Sequence, residues 1–271
     1  MKELLSIKEF SEVSGIESST LRYWDNIGLF SPIERDLENN YRYYSPGQLI
    51  AVNFITVMAS LGVSLKTISE IESNRNPENI MELIDHQEKL LDMRMRSLRE
   101  SYSTIHTRRE LIKRGLKVDV PKISVMTTPE RAIILGPRTK FKKGELFYGP
   151  FIDFCNKADE LRINLNYPIG GYHDNFETFS KAPGQPDYFY SLDPTGNHRL
   201  PAGEYLVGYL YGYYGEFGDL PAKMLAYAKE NRLTLSGPLH TVYLHDEICV
   251  KDPSRYLVEV CVAVSKSREN E

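Results

Sequence analysis

The sequence predicts an α+β fold built in three consecutive segments, and three observations predict it. Within residues 1–75, short apolar-periodic stretches are punctuated by capping residues and glycines. After Pro77 neither Gly nor Pro recurs until Gly115, while an apolar residue returns every seven positions. From residue 120 onward the order strand, helix, strand, strand occurs twice. The expected domains are residues 1–75, a helix over 76–118, and residues 120–271.

The first segment reads as two short helices joined by a tight turn. Ser6 followed by Glu9 is a capping box, Ile7, Phe10 and Val13 share a face, and Gly15 ends the helix. Ser18 or Ser19 then caps a second helix, Leu21-Arg22-Tyr23-Trp24, which stops at Gly28. Two such helices form helix-turn-helix geometry. Residues 31–46 are a loop rich in Pro, Asn and charge, whose Tyr41-Arg42-Tyr43-Tyr44 end predicts a small hairpin or wing. A helix over 46–60 buries Leu49, Val52, Ile55 and Met58 or Ala59, and another begins at Ser64.

Pro77, with Asn76 as cap, opens the long helix. Ile84, Leu91, Leu98, Ile105 and Ile112 form its heptad stripe, and Met81, Glu88, Met95, Tyr102 and Arg109 lie three positions before them. A stripe this long needs a partner helix. No second helix of that length exists in the sequence, so a coiled coil between two chains is expected.

In the last segment, residues 122–138 read as a strand pair or one long bent strand. A helix over 144–161 and two short strands, 167–174 and 186–192, follow. The second round is a strand over 200–212, a helix over 220–231, and strands at 239–247 and 255–264. Two such halves of about 80 residues suggest an internal duplication with a cleft between them. The final residues read as a loose tail.

Bulk properties narrow the function. The 271 residues suggest about two domains, and 41% hydrophobic content suffices for real cores. Net charge is −4, and residues 1–120 and 121–271 carry −2 each, so any nucleic-acid binding must rest on a few well-placed cations. No apolar run reaches the length of a membrane span, and the N-terminus lacks a signal-peptide pattern. Cys155, Cys249 and Cys261 are too far apart to signal a disulfide framework or metal cluster, so a cytoplasmic setting is expected, with no metal or cofactor.

The stretch SIKEFSEVSGIESSTLRYWDNIGLFSP, then YRYYSPGQL, then a long helix resembles the MerR family of transcriptional regulators. Residues 120–271, with LPAGEYLVGYLYG and the closing YLVEVCVAV, resemble the gyrase-inhibitor-like effector-binding domain of its multidrug-sensing branch. The resemblance implies a winged helix-turn-helix, a coiled-coil dimerisation helix and a duplicated βαββ effector domain. It also implies a homodimer on a palindromic operator in double-stranded promoter DNA, distorting the spacer so that RNA polymerase can use it.

By that resemblance Ser19, Thr20, Arg22 and Tyr23 on the recognition helix, and Tyr41, Arg42 and Tyr44 on the wing, contact DNA. Arg22 has the fork geometry for a guanine edge or a phosphate. Tyr211, Tyr213 and Tyr214 sit among glycines in YGYYG, where they cannot fill a core, and so read as lining for a flat ligand. Tyr148, Tyr167 and Tyr256 match ring positions of the family's drug pocket. Where drug-sensing relatives carry a buried Glu on the penultimate strand, this chain has His240 or Thr241. Glu259 is the candidate replacement, although strand alternation sets it opposite Tyr256. The ligand is therefore expected to be flat and hydrophobic, cationic or neutral. Catalysis by Glu259 with a Tyr, or sensing of a specific neutral metabolite, are the alternatives.

Overall fold

A computed structural model describes residues 4–142, 147–161 and 163–266. The chain divides into two compact units, Met1–Ser97 and Leu98–Glu271, with the break inside the long helix. Among the described residues, no helix is long and apolar enough to cross a membrane.

The first unit opens with strand β1 (Leu5–Ser6) and helix α1 (Ile7–Ser14). The predicted capping box is present. Ser6 Oγ accepts from the Glu9 N–H at 3.3 Å, and the Ser6 N–H donates to Glu9 Oε2 at 2.8 Å. Gly15 ends the helix in the left-handed region, φ 72°, which a side chain rarely adopts. Helix α2 (Ser18–Asn26) differs from expectation at its start: Glu17 is the cap residue, and no side chain caps the helix.

Strands β2 (Glu34–Arg35) and β3 (Arg42–Tyr44) form the wing, and β1 adds to its other edge in the order β1-β3-β2. Helix α3 (Gln48–Ser60) buries Val52, Ile55 and Met58, and α4 (Leu65–Ser73) is capped by Ser64, whose Oγ accepts from the Thr67 N–H. The core joins Phe10, Leu21, Trp24, Phe30 and Tyr44 to these residues. Phe10 and Tyr44 stack at 4.7 Å, and Phe30 and Tyr44 at 5.7 Å.

Helix α5 (Pro77–Gly115) is the long helix. Its stripe is uncovered within one chain over Met95, Leu98, Tyr102 and Ile105; Leu98 is 69% exposed. Three of its heptad positions, Ile84, Leu91 and Ile112, are half-buried.

The second unit is one eight-stranded sheet with order β4-β9-β11-β10-β6-β7-β5-β8. Its first half comprises β5 (Arg131–Arg138), α6 (Tyr148–Asn156), β6 (Ile169–His173) and β7 (Tyr188–Ser191). Its second comprises β9 (Gly203–Tyr211), α8 (Leu220–Glu230), β10 (Leu233–His245) and β11 (Leu257–Lys266). Strand, helix, strand, strand thus occurs twice, and the orders β9-β11-β10 and β6-β7-β5 mirror each other about the β10–β6 pairing.

Strand β4 (Lys122–Thr128) does not pair with β5. It pairs with β9, while β5 lies between β7 and β8 (His198–Leu200). Helix α7 (Phe176–Lys181) and strand β8 were not anticipated. Helix α6 is shorter than expected; residues 144–146 of that expectation, and the tail beyond 266, lie outside the described residues.

Alternation along the strands separates two faces. Val258, Val260 and Val262 pack with α7 and α8, while Leu257 and Cys261 pack on the other face with Tyr190, Tyr205 and Leu111 of α5. The end of α5 fits closely here. His245 Nε2 donates to the Ile112 carbonyl at 3.1 Å, and a Cβ on Gly115 would lie 2.5 Å from that nitrogen.

Candidate functional site

Two sites arise, one in each unit. In the first, α2 turns one side inward through Leu21 and Trp24 and leaves Ser19, Arg22 and Tyr23 exposed; Tyr23 is 53% exposed. Asp25 is buried and fully engaged. Arg35 Nη2 donates to both of its oxygens at 2.7 Å, and Arg42 Nε donates to Oδ2 at 2.6 Å. Two wing arginines therefore clamp the recognition helix to the wing. The i+3 pairing of Arg22 with Asp25 does not form, because Asp25 is already taken, and the Arg22 guanidinium faces solvent. The uncapped start of α2 adds free N–H groups beside Ser19 and Thr20, the arrangement that binds phosphate.

Two wing expectations change. Tyr44 is wholly buried in the aromatic stack, and its hydroxyl has no partner among the described residues. It cannot reach DNA, because β3 alternates and turns Tyr43, not Tyr44, outward. Arg42 spends its Nε on Asp25 and acts first as a brace. Tyr41 is exposed and packs against Tyr43 at 5.5 Å. Tyr44→Phe removes an unsatisfied buried hydroxyl. It is expected to leave the melting temperature of residues 1–97 unchanged or raised, and DNA affinity unchanged, in parallel thermal melts and anisotropy titrations.

In the second unit a cavity of about 520 Å³ opens on the helical face of the sheet. Tyr148, Tyr167, Tyr213, Tyr214 and Tyr256 line it. Their rings interlock: Tyr214 lies 4.6 Å from Tyr243 and 5.5 Å from Tyr256, and Phe147 stacks on Tyr214 at an interplanar angle of 9°. The Tyr148 and Tyr213 hydroxyls hydrogen-bond to each other, and the Tyr243 hydroxyl donates to the Tyr213 carbonyl at 2.8 Å. Burial pushes the Tyr243 and Tyr214 phenols far above their usual range, so they stay protonated donors. Phe147, Phe151 and Phe189 complete the aromatic wall. The floor is Gly170, Gly171 and Thr241.

Three expected ligand residues lie elsewhere. Tyr211 shares the parity of Tyr209, whose side chain faces away from the cavity, and it is 45% exposed at the strand end. His240 packs on that same far face, edge-on to Tyr205. Arg131 Nη2 lies 2.8 Å from His240 Nε2. Because arginine only donates, Nε2 is the acceptor. Burial, followed by the Arg131 and Arg114 charges, depresses the His240 pKa and keeps the ring neutral.

Glu259 is 4% exposed on the same far face. It forms an ion pair with Arg114 at the end of α5 and accepts from the Tyr209 hydroxyl at 3.2 Å. The alternation argument thus holds: Tyr256 faces the cavity and Glu259 does not. Glu259 is no replacement for a pocket carboxylate, because it faces away from the cavity and is held by Arg114 and Tyr209.

Residues 5–75 match the family model described as MerR HTH family regulatory protein. The N-terminal domain belongs to the MerR family. Over nearly its whole length the chain resembles two regulators of multidrug-efflux transporters. It is 26% identical to the multidrug-efflux transporter 2 regulator of Bacillus subtilis, covering 92% of this chain and 92% of that protein. It is 22% identical to the multidrug-efflux transporter 1 regulator of the same species, over 98% and 100%. Among solved structures, the N-terminus of the Bacillus subtilis multidrug transporter activator is 26% identical over 42% of this chain and 99% of its own, with TM-score 0.32.

Sequence reasoning missed His173, Phe147, Phe151 and Glu247, all of which line the cavity. One signal was present: two adjacent glycines inside a strand mark a close approach. A Cβ on Gly170 would sit 2.3 Å from the Thr241 carbonyl oxygen and 2.4 Å from the Tyr190 ring. Backbone cannot yield there, so Gly170→Ala is expected to cost about 1–3 kcal/mol or more, seen as a lower urea midpoint for the second unit.

Proposed function

We propose that this chain is a ligand-responsive transcription regulator of the multidrug-sensing MerR type, binding promoter DNA as a homodimer and a flat hydrophobic small molecule in its C-terminal cavity. The observation that carries this reading is the pairing, in one chain, of a MerR-family head with a 520 Å³ cavity walled by aromatic rings. Its full-length likeness to two efflux-transporter regulators supports the same reading.

The head reads DNA through Arg22 and Tyr23, with Ser19 and Thr20 on phosphate at the uncapped helix start and Tyr41 at the wing. Asp25, Arg35 and Arg42 hold wing and helix in one register. The uncovered α5 stripe is the dimer seam: Leu98 and Ile105, left exposed in one chain, would be buried against a second copy. The domains serving these roles are residues 1–75, 76–118 and 120–271. The dimer works in the cytoplasm, binding a palindrome in the promoter spacer and distorting it for RNA polymerase when the cavity is filled. The cavity binds and does not transform its ligand.

Anisotropy titration of full-length protein with DNA across a salt series tests the head. A few phosphate contacts per subunit predict a moderate slope, roughly one unit per contact. Full binding that ignores salt would contradict it. Leu98→Glu with Ile105→Glu is expected to convert the dimer to monomer in sedimentation equilibrium, since charges cannot occupy a coiled-coil seam.

A further inference from the structure

The polar groups of the cavity are unevenly distributed. Both lining carboxylates are engaged: the half-buried Asp246 with Arg108 at 3.1 Å, and the exposed Glu247 with the Tyr214 hydroxyl. An exposed carboxylate attracts a cation weakly, because water and salt screen it. Apart from these two and Arg108, which also lines the cavity, the lining residues carry no formal charge. Thr241, which occupies the floor, has its hydroxyl turned to the Gly171 carbonyl at 3.4 Å.

His173 stands out. It is 1% exposed, it lines the cavity, and both its ring nitrogens are buried without a partner among the described residues. Phe179 packs against it edge-on at 5.1 Å and offers no hydrogen bond. The nearby carboxylates of Asp174 and Asp187 are both held by Arg138. Burial lowers the His173 pKa to about 4, so at neutral pH the ring offers one N–H and one lone pair. A polar group buried this deeply is costly unless something completes its hydrogen bonds.

We infer that His173 is the specificity-determining residue of the cavity, and that the ligand is an uncharged planar aromatic whose hydrogen-bonding group meets the His173 ring, in preference to a permanent cation. This inference rests on the reading of the cavity as the effector site. A buried carboxylate would select cations; a neutral imidazole over a glycine floor selects donors and acceptors.

The test uses full-length protein and two probes sharing one ring frame. Acridone is neutral and carries an N–H and a carbonyl; N-methylacridinium is a cation with neither. Fluorescence titration at pH 7.5 is expected to show acridone binding at least tenfold tighter. His173→Leu should weaken acridone at least tenfold and leave N-methylacridinium within about twofold, while His173→Gln, which keeps a donor and an acceptor, should retain acridone within about threefold. Tyr256→Ala should weaken both probes. Because a variant can misfold, the ring ¹⁵N shifts of His173 in the unaltered protein provide a second reading, expected to move on acridone saturation. Tighter binding of N-methylacridinium, or acridone binding with unmoved His173 shifts, overturns the inference and leaves the effector-site reading intact. Binding of neither probe overturns both.

Discussion

Arg114→Ala is expected to destabilise the second unit by about 3–5 kcal/mol, because it leaves the buried Glu259 carboxylate without its cation. Glu259→Gln should cost clearly less. It leaves behind Arg114, whose side chain is 39% exposed and can turn to water. The asymmetry is the informative part, since a surface ion pair would give two small and equal losses. Urea unfolding followed by circular dichroism measures both variants. Trp24, the only tryptophan, reports the first unit separately and should not shift. Because Glu259 faces away from the cavity, Glu259→Gln should leave probe affinity unchanged. A Glu259→Gln variant that loses ligand while keeping its stability would return the carboxylate to the binding site.

The second large effect lies on DNA. Arg22 is exposed on α2, and its would-be partner Asp25 is taken by Arg35 and Arg42. A bidentate base contact contributes about 1–3 kcal/mol, and the proposed dimer would make it twice. Arg22→Ala is thus expected to weaken operator binding by about 2–6 kcal/mol in anisotropy titrations. If Arg22 reads a guanine, the variant relaxes sequence preference and keeps most of the salt slope. If it grips a phosphate, affinity falls for every sequence and the slope drops by about one per contact. Asp25→Asn should also weaken binding, through loosened wing arginines and not through a lost DNA contact.

Local signals carried the legible part of the fold. The Ser6–Glu9 box, Gly15 and the Ser64 cap lie within a few residues of the elements they bound, so α1 and α4 could be read directly. The doubled strand-helix-strand-strand order was visible because each element has its own period. What failed was partner choice. Thr128-Pro129-Glu130 looks like a hairpin turn, yet β4 and β5 leave it for β9 and β7, pairings set by residues far along the chain.

Face assignment failed for the same reason. Period two says that Tyr43 and Tyr44 diverge, and that Tyr256 and Glu259 diverge. Only the packed structure says that Tyr44 goes inward onto Phe10 and that Glu259 meets Arg114. Of the cavity rings, Tyr213 and Tyr214 were marked by the glycines around them, and Tyr148, Tyr167 and Tyr256 by the family resemblance; Tyr211, in the same glycine-rich stretch, points elsewhere. His173 was not marked, since a lone histidine in a strand carries no spacing that singles it out.

The measurement that bears most directly on the account is selection of sites from a random double-stranded DNA pool by the full-length chain. The account predicts enrichment of a two-fold symmetric site, with Arg22→Ala losing enrichment at matching positions in both half-sites. Enrichment of no sequence, or of a site without symmetry that is unaffected by Arg22→Ala, would contradict it.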